Sequence, residues 1–329
     1  MRRDVTELLK QLSIETGLVE GTVRQIIANA PERYKTYHIS KKNGGTRKIA
    51  QPAREVKLLQ RALTDLLLSK LPVHPAATAY VKGRNIRHNA ELHCHSGPIL
   101  KMDFKDFFPS ITARDWAAYC TQTNCLADPE DIRLTSLLLF HRPAGGRVLR
   151  LAIGAPSSPI VSNLVMFPFD QIISEAVAVD RVIYSRYADD LTFSGPRTGH
   201  LTVVAKAVRD ALKEIQYPSL KLNPEKTTYA TMKYHRQVTG LTLANDGRVT
   251  IGRDRKRALR AQLDHYHKGI LPLKEIPRLA GNLAFVRSAE PSFFFKLVER
   301  HGYQKIHDIL RQSNRKNKKL QSEPTGSPI

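Results

Sequence analysis

Three cysteines, Cys94, Cys120 and Cys125, are all that the 329 residues contain. A count this low and odd excludes a disulfide framework, and it leads to the expectation of reduced thiols in a cytoplasmic protein. No run of about 18 apolar residues occurs, so no bilayer-spanning helix is expected and no membrane is counted as a partner. The opening MRRDVTELLKQLSIETG turns polar too early for a secretory signal. No repeat of about 20–50 residues is visible, which argues against solenoids and propellers. Acid is also scarce: Asp plus Glu number 30 against 52 Lys plus Arg, giving a formal charge of +22 and a pI near 10.0. So basic a surface repels itself unless a polyanion offsets it, which makes nucleic acid the leading partner class. What is present in ordinary amounts, 41% hydrophobic and 25% charged residues, excludes wholesale disorder. The length allows one large or two ordinary domains.

Over residues 3–29, Val5, Leu8, Leu9 and Leu12 form one apolar stripe and Val19, Val23, Ile26 and Ile27 another, with Gly17 between them. Two packed helices at a domain edge are expected there in preference to a DNA-reading helix pair. Residues 34–50, YKTYHISKKNGGTRKIA, read as two strands around Asn43-Gly44-Gly45. An apolar helix is predicted over 54–71, a short strand ending in acid over 98–104, and helices over 114–123 and 132–140. A second hairpin is expected at Gly145-Gly146, then one long apolar helix over 163–177. Residues 181–195, RVIYSRYADDLTFSG, read as two strands with a turn; a helix over 201–215 and short strands as far as Ile251 follow. Beyond Arg253 the segment RDRKRALRAQLDHYHKG is a basic amphipathic helix, and further helical patterns run over 273–286 and 291–310. The last residues, 313–329, are few in apolar types and are expected to form a disordered basic tail.

The chemistry concentrates in carboxylates. Asp103 ends the 98–104 strand, and Asp189 and Asp190 lie side by side between apolar strands. Adjacent carboxylates repel and raise each other's pKa unless a cation sits between them. An Asp-Asp pair alone is usually a solvated turn. Placed between Val182-Ile183-Tyr184 and Leu191-Thr192-Phe193, it is a poor choice for stability alone. Mg²⁺ takes hard oxygen ligands, commonly one or two carboxylates plus substrate phosphates. Two such ions about 3.5–4 Å apart activate a 3′-hydroxyl and stabilise a leaving pyrophosphate. His93-Cys94-His95 with Cys120 and Cys125 does not have the spacing of a zinc finger or ribbon, so no zinc is expected.

Four blocks, in order, carry a resemblance. Lys41-Lys42-Asn43-Gly44-Gly45-Thr46-Arg47 resembles the fingers hairpin of reverse transcriptases, and Asp103-Phe104-Lys105-Asp106-Phe107-Phe108-Pro109-Ser110-Ile111 their first carboxylate motif. Gly154-Ala155-Pro156-Ser157-Ser158-Pro159, then Ser162-Asn163, is similar to their template- and nucleotide-positioning segment, and Tyr187-Ala188-Asp189-Asp190 to their active-site box. Together these blocks span roughly residues 34 to 245. Asn89-Ala90-Glu91-Leu92-His93 and Val238-Thr239-Gly240 are similar to the Asn-Ala-x-x-His and Val-Thr-Gly elements of bacterial retron reverse transcriptases, which narrows the resemblance to that type.

The resemblance implies an α+β right-hand polymerase. Fingers and palm, interleaved over 1–250, contain an antiparallel sheet backed by helices; a helical thumb over 251–312 binds RNA or duplex; the tail at 313–329 follows. Asp103, Asp189 and Asp190 are expected to hold two Mg²⁺ ions. Lys41, Lys42 and Arg47 are expected to pair with the dNTP triphosphate, Phe108 to exclude a ribose 2′-hydroxyl, and Lys226 to protonate the leaving pyrophosphate. Asn89, His93, Val238, Thr239 and Gly240 are expected to face RNA, with His93 also making hydrogen bonds within its own element. So are Arg253, Lys256, Arg257 and Arg260, which fall on one helical face. The implied function is RNA-templated DNA synthesis on a cognate non-coding RNA. It is primed from a guanosine 2′-hydroxyl and yields a branched RNA–DNA hybrid (msDNA) used in anti-phage defence with a separate effector protein. No fused effector domain is expected. The alternatives are a group II intron or diversity-generating reverse transcriptase, or a non-catalytic RNA-binding scaffold on a polymerase fold. One departure stands out: Ile153 occupies the place where the family commonly has glutamine.

Overall fold

A computed structural model describes residues 6–41 and 44–311. Lys42 and the expected tail at 313–329 lie outside the described residues. The chain forms two compact units. One comprises residues up to Asn85 together with Gly97–Tyr229; the other comprises Ile86–Ser96 together with residues from Ala230 onward.

The first unit opens with the two expected helices, Glu7–Thr16 and Glu20–Asn29. Thr6 caps the first by accepting the Leu9 N–H at 3.3 Å, and Gly17 ends it at φ 69°. Strands Tyr34–Ser40 and Thr46–Pro52 pair antiparallel, with Ser40 opposite Thr46 at the tip. The helix Arg54–Leu66 buries Val56, Leu59 and Leu63, an i, i+3, i+7 stripe. The central sheet is antiparallel, in the order Ile183–Tyr187, Asp190–Ser194, Ile99–Lys105, Lys221–Leu222. Its central strand buries Ile99, Leu100, Met102, Asp103 and Phe104, the near-continuous burial of a strand covered on both faces. Phe104 stacks on Phe107 at 5.8 Å and meets Phe169 edge-on at 5.6 Å, tying the sheet to its helices.

Two expectations in this unit change. The apolar segment 163–177 is not one helix. Helices Ser158–Val165 and Phe167–Ala178 meet at a 49° bend, with Pro168 in the first turn of the second. Proline lacks the N–H that a helix interior requires and fits a first turn instead. Among the described residues no single helix is long and apolar enough to cross a membrane. The hairpin at Gly145-Gly146 shrinks to one antiparallel bridge, His141 with Arg150, because Pro143 removes a ladder donor beside it.

The second unit holds a small antiparallel sheet of Gln237–Val238, Leu241–Leu243 and Val249–Thr250. Around it lie the short helix Ile86–Glu91 and the helices Arg253–His267, Ile276–Ala289 and Pro291–His301. Leu259, Leu263, Leu279, Leu283, Phe293 and Leu297 are buried in this unit. The pattern over 291–310 is interrupted at Gly302, φ 85°, after which 303–311 is helical again. The unit joins Ile86–Ser96 to the residues from Ala230 onward, a stretch that includes those from 251 where a thumb is expected.

Candidate active site

The hairpin register brings the carboxylates together. Asp103 lies directly opposite Asp190, and Tyr187 pairs with Asp190, leaving Ala188 and Asp189 as the two turn residues. The Phe104 N–H donates to the Asp189 carbonyl at 3.1 Å, and the Asn223 N–H to the Asp103 carbonyl at 2.7 Å. Asp103 is 4% exposed, and its Oδ1 accepts from Lys226 Nζ at 2.8 Å. Burial, and then the Asp103 charge, raises the Asp189 carboxyl; burial, and then Asp189, pushes Asp190 up to about 6. The hydrogen bond to Asp103 holds the Lys226 ammonium above its ordinary value. Three carboxylates held this close, two of them with raised pKa values, favour a cation among them.

The turn is held from beneath. Arg186 and Asp170 are both fully buried and paired. Arg186 Nη2 donates to Asp170 Oδ2 at 2.6 Å, and Nε donates to Oδ1 at 2.9 Å. The remaining Nη1 reaches Asn163 Oδ1 and the Ala188 carbonyl, each at 3.2 Å. Tyr184 Oη completes the cluster by donating to Asp170 Oδ1 at 2.7 Å. Ala188 sits at φ 57°, a region that costs a non-glycine residue about 1–3 kcal/mol and persists only where the surroundings enforce it. The Arg186 contact to its carbonyl is one such constraint. Sequence reading passed over this clamp. Its signal was a lone arginine in an apolar strand and a lone aspartate in an apolar helix, two charges too costly to bury separately.

Other expected residues take varied positions. Arg47, on the second hairpin strand, lies near enough for its charge to favour ionised Asp189. Lys41 is exposed at the hairpin tip, where its N–H donates to the Gly45 carbonyl at 3.0 Å. Phe107 is core at 3% exposed, whereas Phe108 is half-buried beside the carboxylate strand. Gly154, φ 124°, packs so tightly that a Cβ there would stand 3.0 Å from the Ala50 carbonyl oxygen. At Ile153 the backbone does the work: its carbonyl accepts the Ala50 N–H at 2.9 Å.

The two retron-like elements, far apart in sequence, meet in the second unit. Thr239 and Gly240, at φ 48° and 77°, form the two-residue turn between Val238 and Leu241; this is the primed geometry that calls for glycine. Thr239 Oγ1 donates to the Ile86 carbonyl at 2.8 Å. Asn89, His93 and Val238 are each 0% exposed, so the expectation that they face RNA is corrected: they are interior residues of this unit. Burial alone pushes the His93 imidazole down to about 3. Lys256 is likewise corrected. Its Nζ pairs with Glu290 Oε1 at 2.5 Å and lies over the Phe293 ring at 5.0 Å, so its charge is spent inside the unit. Arg253, Arg257 and Arg260 remain exposed, and Arg260 also covers Phe293 at 5.1 Å. A cleft of about 1470 Å³ in this unit is lined by Arg87, Lys233, Arg248, Arg253, Arg255 and Arg257 among others.

Residues 39–243 match the family model described as reverse transcriptase (RNA-dependent DNA polymerase). The class is thereby defined: a polymerase fold of sheets and helices with its carboxylates on the central sheet. The chain is 36% identical over 282 residues to the retron Ec83 reverse transcriptase of Escherichia coli, covering 85% of this chain and 90% of that one. It is 32% identical over 313 residues to the retron Ec73 enzyme of the same organism, covering 92% and 96%. Among solved structures, telomerase from Candida albicans, determined with a fragment of telomeric RNA, aligns at TM-score 0.47 and 12% identity over 90% of this chain and 61% of that one. The chain belongs to the retron reverse transcriptases and is an RNA-directed DNA polymerase.

The family generally uses divalent metal ions. The donor chemistry here fits: hard carboxylate oxygens, with Asp189 and Asp190 raised by burial and by neighbouring carboxylate charge. Among the described residues no group of three or more His, Cys, Asp or Glu side chains is already arranged around a metal position. Lys226 Nζ adds a positive charge 2.8 Å from Asp103 Oδ1.

Proposed function

We propose that this retron enzyme copies part of its own non-coding RNA into DNA. It starts from a guanosine 2′-hydroxyl and leaves a branched RNA–DNA hybrid that serves in anti-phage defence with a separate effector protein in the cytoplasm. The first unit supplies fingers and palm and the second the thumb. The observation that carries the catalytic part is the register: Asp103 opposite Asp190, with Asp189 in the adjoining turn.

In this reading Asp103, Asp189 and Asp190 would hold two Mg²⁺ ions. When bound, these ions activate the attacking hydroxyl and neutralise charge on the phosphates. The chain's own groups do the rest. Arg47, with Lys41 and Lys42, orients the triphosphate through charge-assisted hydrogen bonds. Phe108 sets its ring against the sugar. Lys226, beside Asp103, would offer its proton to the departing pyrophosphate. Arg253, Arg257 and Arg260 bind RNA phosphates, and Thr239-Gly240 present a rigid turn beside them.

The test is primer extension on an RNA template together with extraction of nucleic acid bound to the purified protein. Asp189→Asn with Asp190→Asn is expected to abolish extension while RNA binding, which rests on many basic groups, persists. Wild-type protein is expected to carry a branched hybrid, with the DNA joined to a guanosine 2′-oxygen. Extension by the double variant refutes the metal assignment, and a linear product refutes the priming.

A further inference from the structure

The segment between Leu71 and Asn85 has no helix or strand of its own, yet it is tightly fixed. Thr78 donates its N–H to the Arg186 carbonyl at 2.8 Å, and Arg186 returns its N–H to the Ala76 carbonyl at 2.8 Å. Asn163 Nδ2 donates to the Ala79 carbonyl at 2.9 Å. Arg84 Nη1 gathers the Pro75 and Ala77 carbonyls at 2.6 and 2.7 Å. Ala77, Thr78 and Ala79 are buried as a result. The next residue, Tyr80, breaks this pattern. Its backbone turns into the left-handed region at φ 62°, and its ring emerges 50% exposed. A bulky residue there is under strain of about 1–3 kcal/mol, which marks a side chain aimed for use rather than for packing.

The ring is aimed into the active site. It lies 6.3 Å from the Phe108 ring, tilted by 58°. Burial, and then the Asp189 charge, raises the Tyr80 hydroxyl pKa, while the Arg47 charge opposes that rise, as expected for a ring near the carboxylates. Phe108 is half-buried, and the Phe107 ring meets it edge-on at 5.4 Å. A ring can exclude a 2′-hydroxyl only if it has nowhere to retreat. Phe107 packs against it, and so does Tyr80, which is held by a segment bonded to the strand that carries the catalytic turn.

We propose that Tyr80 is a specificity-determining residue for nucleotide selection: its ring buttresses Phe108 and forms the second aromatic wall of the sugar pocket. The proposal rests on Phe108 as the sugar-selecting ring. Tyr80 acts through Phe108, so the two effects on selectivity are not additive.

The experiment is single-nucleotide incorporation on an RNA template, with kcat/KM measured separately for a dNTP and the matching rNTP. Tyr80→Gly removes the ring and suits the backbone, since glycine adopts φ 62° without strain; Tyr80→Phe keeps the ring. Tyr80→Gly is expected to lower the dNTP-to-rNTP ratio on the order of tenfold, a scale typical of one lost apolar contact in a specificity pocket, while Tyr80→Phe preserves it. Tyr80→Gly combined with Phe108→Ala is expected to discriminate no worse than Phe108→Ala alone. If Phe108→Ala lowers the ratio and Tyr80→Gly does not, the buttress is overturned and the gate stands. If Phe108→Ala leaves the ratio intact, the gate itself is wrong and the buttress falls with it.

Discussion

Replacing Asp170 with asparagine leaves the Arg186 guanidinium fully buried with its neutralising charge gone. Three of the five hydrogen bonds made by the Arg186 guanidinium go to that carboxylate. Removing one partner of a buried pair costs about 3–5 kcal/mol. At roughly 2–4 °C per kcal/mol for a chain of this order, the melting temperature should fall by about 6–20 °C. Activity should fall at temperatures where the variant is still folded, because the same guanidinium holds the Ala188 carbonyl and so the turn that bears Asp189. A second variant separates the two effects. Asp170→Leu, Arg186→Met and Tyr184→Phe together remove every charge and hydroxyl of the cluster and fill its volume. Such replacements are often neutral or stabilising, so thermal stability should recover while kcat stays low. Differential scanning calorimetry and primer extension at saturating dNTP read the two quantities. A triple variant with wild-type kcat would refute the role of the clamp in positioning the turn, whatever its melting temperature.

The buried His93 gives a pH prediction. Its folded-state pKa is about 3 against about 6.5 when unfolded, so the unfolded chain takes up a proton first as pH falls. The stability it supports is complete above about pH 6.5 and declines by about 1.4 kcal/mol per pH unit below that, or about 2 kcal/mol by pH 5. Urea unfolding of wild type and His93→Asn at pH 7.5 and 5.0 checks this; equal losses in both mean another group is responsible. For the basic helix, Arg253→Gln with Arg257→Gln should flatten the salt dependence of RNA binding by about two charges' worth. Lys256→Gln should instead lower the melting temperature by several degrees and leave the slope unchanged, because its charge already faces Glu290. A reduced slope for Lys256→Gln would return that residue to the RNA surface.

The sequence was most legible where pattern and chemistry coincided. Alternation and turn residues announced the hairpin at 34–52, and the apolar flanks of Asp189-Asp190 announced a strand pair whose register then placed Asp103. Spacing rules failed where apolar residues continue across a break. Nothing in the run of hydrophobic residues marks the 49° bend except Pro168, whose tolerance in a first turn makes it an ambiguous sign. The segment bearing Tyr80 has no periodicity to read, because its order comes from bonds to distant partners such as Arg186 and Asn163. The retron-like elements were visible as motifs, but motif matching assigns no depth. Asn89 and His93 are polar types that usually face water, and only the fold reveals that they lie inside. Lys256 was misread for a similar reason: helical spacing shows which residues share a face, and not that Glu290 waits opposite one of them.

The eleven-residue excursion from Ile86 to Ser96 constrains how these enzymes can be recombined. It is encoded within the first unit and spent in the second, where Thr239 holds its first residue and Gly247 packs against His95. A chimaera that exchanges only the stretch after Tyr229 would pair a donor's helices with a host's insert, and the seam would run through a buried interior. An exchange that transplants both pieces together moves an intact interior. Heredity faces the same rule as the engineer: a crossover between two such genes that separates the pieces breaks a fitted pair, so the two segments are expected to drift in concert, as lock and key cut from one blank.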